Sequence, residues 1–99
     1  VNVKTLIQLL ADVKNNSPVF FEDEQHRHYR ISSISSEVID ENYYLLLNVN
    51  SHSSKTLKIW ELLVLLQQQE PTALIFIHKQ KDRQQIFGLR FADGQVYLK

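Results

Sequence analysis

The run Gln25-His26-Arg27-His28-Tyr29-Arg30 is the densest group of chemically capable side chains in this 99-residue sequence. Residues two apart on a strand point to the same side, so His26 and His28 would share a face beside the carboxylates Glu22 and Asp23. Two imidazoles and a carboxylate are the beginning of a divalent-metal site. A third ligand at a fixed spacing is missing, however, and exposed histidines are ordinary at hairpin tips, so no metal site is assigned. A pH-sensitive surface would use the same imidazoles. Glu22, Asp23 and Glu24 are adjacent and repel one another, which suits a solvated strand end better than an acid–base pair. His52 lies among serines, but no glycine-flanked serine on a strand-to-helix turn accompanies it. The only glycines, Gly88 and Gly94, make no phosphate-cradling loop. Neither a catalytic residue nor a cofactor is expected, and the chain reads as non-enzymatic.

Basic side chains gather around Arg27 and Arg30 and again at Lys79, Lys81 and Arg83. Two basic hairpin tips could straddle a nucleic-acid backbone, with Tyr29 available to stack on a base. Against this, eleven Lys and Arg balance eleven Asp and Glu, so the molecule as a whole offers no field to attract a polyanion. The charge is split by halves: residues 1–50 carry net −3 and residues 51–99 net +3. The simplest consequence is that the halves pair with each other; head-to-tail association is the other.

These groups need a scaffold, and the hydrophobic pattern supplies one domain, 1–99, of ordinary globular composition, 43% hydrophobic and 22% charged. The absence of cysteine removes disulfides and thiolate ligands. The longest apolar runs, residues 62–66 among them, are far too short to span a bilayer, which makes cytoplasmic residence without membrane association the default.

Residues 3–14 place Leu6, Leu9, Leu10 and Val13 at helical spacing behind a candidate N-cap, Asn2, and Pro18 lies beyond their end. Strands are expected from Val19, over 28–39 and over 43–49. A second helix over 55–69 carries Ile59, Leu62, Leu63 and Leu66 on one face and stops at Pro71. Further strands follow over 73–77 and 84–91. Asp93-Gly94 predicts a two-residue type I′ hairpin pairing Leu89 with Leu98, Arg90 with Tyr97 and Phe91 with Val96.

The fold class is therefore α+β, in the order αβββαβββ: two helices on one face of an antiparallel sheet of about six strands. A displacement of 53 residues lays Leu6 on Ile59, Pro18 on Pro71 and Asp40 on Asp93, which suggests pseudo-repeats 1–50 and 51–99.

Two apolar surpluses remain. The second helix carries Leu57, Trp60 and Val64 outside its first stripe, and the third strand carries Tyr43, Leu45 and Leu47 within a run that is apolar on both faces. Either these elements are buried on two sides, or they meet another chain. The leading expectation is a protein-interaction module, a homodimer or a binder of another protein, using these six residues. The alternative is a nucleic-acid-binding protein using Arg27, Arg30, Lys79, Lys81 and Arg83.

Overall fold

The computed structural model of the chain describes residues 1–50 and 55–99, so His52 and its serines lie outside the described residues. Asn2 caps α1 (Val3–Leu10), its side-chain oxygen accepting the Thr5 N–H at 2.8 Å, and Val3, Leu6 and Leu10 are fully buried. The helix ends at Leu10, short of the expected Lys14, because the next residues fold back onto the second helix. The carbonyls of Ser17 and Asn15 accept the N–H groups of Ile59 and Trp60, at 2.9 and 3.0 Å, satisfying donors that the start of α2 (Ile59–Gln67) leaves open. Leu57 lies outside α2, donating to the Ile31 carbonyl and accepting from the Val19 N–H, both at 2.9 Å. Among the described residues no helix is long and apolar enough to cross a membrane.

The strands are β1 (Val19–Glu22), β2 (His28–Ile39), β3 (Asn42–Asn50), β4 (Leu74–Lys79), β5 (Asp82–Gln85), β6 (Leu89–Ala92) and β7 (Gln95–Leu98), in one sheet ordered β5-β4-β3-β2-β1-β7-β6. The α+β class holds, but the expected antiparallel sheet of about six strands is corrected to a mixed, curled sheet of seven. The β3/β4 and β1/β7 pairs are parallel. A helix between two neighbouring strands carries the chain back to the end where it began, so β3, α2 and β4 form a crossover unit and not a meander. The extra strand arises where 84–91 bends. The Phe87 and Gly88 N–H groups both donate to the Lys99 carbonyl, at 2.8 and 3.0 Å, while Ile86 turns into the core. The chain thereby leaves β4 and joins β7.

The β6–β7 register is the one the Asp93-Gly94 turn predicts. Asp40-Glu41 builds the same left-handed turn in the β2–β3 hairpin, with φ of 50° and 67°, against 54° and 74° at Asp93-Gly94. Glycine takes this conformation freely and glutamate does not. Glu41→Gly is accordingly expected to raise the unfolding free energy by about 1 kcal/mol, read from the urea midpoint, whereas an unchanged midpoint would show that the turn carries no strain.

Both helices and the alternate strand residues Val19, Phe21, Leu45, Leu47, Ile75, Ile77, Val96 and Leu98 belong to one core. Leu46, on the opposite face of β3, is also buried, next to the Tyr44–Phe76 ring pair at 5.9 Å. Curvature explains this burial without a second layer. The bidentate Arg83–Glu37 pair, 2.8 and 2.9 Å, joins β5 to β2 across both intervening strands, which requires the sheet to curl toward that face. The helices correspond in burial as Val3 with Ile59, Leu6 with Leu62 and Leu10 with Leu66, a longer displacement than the one the hairpin turns keep.

Candidate functional site

The histidines expected to share a face are separated by a turn. His26 has φ 63° in the β1–β2 connection, and β2 starts only at His28, whose ring nitrogen lies 3.0 Å from Glu22. Glu22 is 7% exposed and also receives Arg90 at 2.6 Å, and the Arg90 guanidinium lies 4.4 Å over the Tyr97 ring. The Arg90 hydrogen bonds, outweighing the burial that opposes them and aided by His28, lower the Glu22 carboxyl from 4.5 to about 2.

Its neighbour Asp23, just past the end of β1, organises a second network around Arg27 and Tyr29. Its oxygens accept from the Gln25 and Arg27 backbone N–H groups at 2.9 and 2.8 Å, from Arg27 Nε at 2.9 Å and from the Tyr29 hydroxyl at 3.3 Å. Burial pushes Asp23 up, but the hydrogen bonds from Arg27 and Gln25 outweigh it and bring the group from 3.8 to about 2. Lys79 reaches in from β4 to donate to the Tyr29 hydroxyl at 2.8 Å, its ammonium 4.2 Å over the ring.

These networks separate the five candidate phosphate-contacting residues. Arg27 and Lys79 converge on Asp23 and Tyr29, and Arg83 is held by Glu37. Arg30 faces Phe20 and Asn50 in the ladders, and Lys81 sits in the β4–β5 turn. Glu22–Arg90 and Glu37–Arg83 both join the acidic half to the basic half, so the charge split is used inside the molecule. Among the described residues no three His, Cys, Asp or Glu side chains come together as a metal-binding group. A cleft of about 710 Å³ beside this region is lined by Phe21, Glu24, His26, Gln84, Phe87 and Lys99. Of the carboxylates that line it, Glu22 and Asp23 are engaged by Arg90 and Arg27.

The six candidate interface residues divide evenly. Leu45, Leu47 and Leu57 are buried in the core and offer nothing to a partner of the folded chain, because Leu45 and Leu47 face the helices and Leu57 is clamped between β1 and β2. Tyr43, Trp60 and Val64 are 49%, 48% and 46% exposed. No family model, curated protein or solved structure matches the chain. Its function must therefore be argued from this surface.

Sequence reasoning missed one feature of the surface. β2 is interior in the strand order, yet it pairs with β1 only over residues 28–30, while its pairing with β3 continues to Ile39. Beyond Ile31, where Leu57 closes the gap to β1, the side of β2 turned away from β3 has no strand neighbour among the described residues. Val38 and Ile39, on this stretch, are exposed. The signal available beforehand was the mismatch in length between a four-residue strand and its twelve-residue neighbour.

Proposed function

We propose that the chain is a non-enzymatic protein-interaction module that associates with itself, and that the outward side of α2 is part of the contact. The observation that carries the reading is the pair Trp60 and Val64, one helical turn apart and each about half exposed on a helix whose other side fills the core. An aromatic anchor next to an aliphatic neighbour is the composition that interfaces concentrate near their centres. Tyr43 and Val38, directly paired across the β2–β3 hairpin and both exposed, enlarge the apolar area near the end of α2. The polar groups support the same reading: Glu22, Asp23 and Glu37 are engaged by Arg90, Arg27 and Arg83, as structural ion pairs are. Those bonds also neutralise Arg27 and Arg83, which weakens the case for a nucleic-acid partner.

Light scattering over a concentration range is expected to give twice the chain mass at the upper end. Val64→Lys is expected to return the protein to a monomer with its circular dichroism unchanged, because the site is half exposed and lysine is a good helix former. The change in folding stability should stay within about 1 kcal/mol. A wild-type protein that remains monomeric throughout would overturn the proposal.

A further inference from the structure

The open stretch of β2, residues 33–39, presents main-chain groups whose direction follows from the hairpin. Asp40-Glu41 is a two-residue turn, so Ile39 and Asn42 form its hydrogen-bonded closing pair, and hydrogen-bonded and non-bonded pairs alternate from there. Ile39, Glu37 and Ser35 thus direct their backbone groups to β3, whereas Val38, Ser36 and Ile34 direct theirs away from it. Among the described residues no backbone or side-chain group bonds to those of Val38, Ser36 or Ile34 on that side. The usual protections of a free edge are missing too: 33–39 contains no proline and no lysine, and its one charge, Glu37, is engaged by Arg83.

From this we infer that the edge is where a second copy of the chain adds, β2 against β2 antiparallel about a two-fold axis through Ser36. The inference rests on self-association as proposed above and gives it a geometry. With Ser36 opposite Ser36 of the partner subunit, Ile34 faces the partner's Val38 and Val38 faces the partner's Ile34, and all three residues donate and accept across the axis. Glu37 then lies opposite the partner's Ser35. Sliding the strands by two residues in one direction sets the two Glu37 carboxylates against each other, and sliding them in the other leaves Val38 unpaired; charge and burial therefore select one register.

The Ile34–Val38 contacts form on the face that carries the helices, since Ile34 and Val38 are partnered by Leu47 and Tyr43. Val38, 63% exposed, is covered by them. A two-fold axis perpendicular to the sheet keeps both α2 helices on that same face. α2 follows directly on Leu57, which bonds Ile31, and ends beside Val38, so it runs along this open stretch and its partner runs antiparallel nearby. The edge of β6 is also open but is four residues long and carries Arg90, a poorer template.

Ser36→Pro is the discriminating change, because it removes an N–H that points away from β3 and leaves the β2–β3 ladder intact. It is expected to weaken the dimer at least about tenfold in sedimentation or light scattering, with the monomer fold retained. Val38→Lys, which leaves the backbone untouched, should act in the same direction and guards against a folding defect in the proline variant. Hydrogen exchange of the wild type should show the Ile34, Ser36 and Val38 amides becoming protected as concentration rises. A dimer whose three amides exchange as in the monomer, or in which both variants associate like the wild type, overturns the edge pairing and leaves self-association standing. A monomeric wild type removes both. Protection that appears only when another protein is added assigns the edge to a foreign strand and overturns the second copy as its occupant.

Discussion

Leu47→Ala is expected to lower the unfolding free energy by about 2–5 kcal/mol, the range for removing a large aliphatic side chain from a packed core. Leu47 is fully buried, and Ile77 is its neighbour in β4 and Ile34 in β2. Leu45 stands in the same row and should behave alike. Urea denaturation read at the midpoint and slope checks the prediction, and Val64→Lys provides the contrast, since half of that side chain is already in water. A loss below about 1 kcal/mol at Leu47 would place it outside a packed core and return it to the partner-binding role that its sequence context suggests.

The second large effect concerns acid. Glu22 and Asp23 titrate near 2 in the folded chain and near 4.5 and 3.8 when unperturbed. Between those values the unfolded state binds more protons than the folded one, so stability falls as pH falls. The contribution of these two groups is complete above about 4.5 and lost by about 2. Glu22→Gln cannot ionise, so the variant should be less stable than the wild type at neutral pH, and the gap should close as pH is lowered through that window. Unfolding curves collected at intervals across it decide the matter. A gap that stays constant would show that the Arg90 and His28 contacts do not depend on the carboxylate charge.

The local rules were legible where one signal dominated. Asn2, the helical stripe of Leu6 and Leu10, and the Asp93-Gly94 hairpin with its register all follow from short-range chemistry. Helix ends were less legible, because tertiary hydrogen bonds set them: Asn15 and Ser17 cap α2, and Leu57 is held between two strands. Three of the six interface candidates, Leu45, Leu47 and Leu57, are buried, and each stood where periodicity was ambiguous. Leu57, Trp60 and Val64 fit one helical face on paper, but the helix begins after Leu57, and Leu45 and Leu47 belong to the inner face of a strand whose outer face is also partly covered.

By itself the sequence determined the α+β class, the order of elements as far as the second helix, the apolar stripes that had to be buried and the opposite charge of the two halves, because each depends on residue type and on spacing over a few positions. Only the tertiary structure decided the parallel pairings, the ion pairs Glu22–Arg90 and Glu37–Arg83, and the stretch of β2 left without a strand neighbour among the described residues. Those depend on which distant segments become adjacent once the helices cross over the sheet and the sheet curls. Such adjacency comes from packing the whole chain at once, and no local window of residues encodes it.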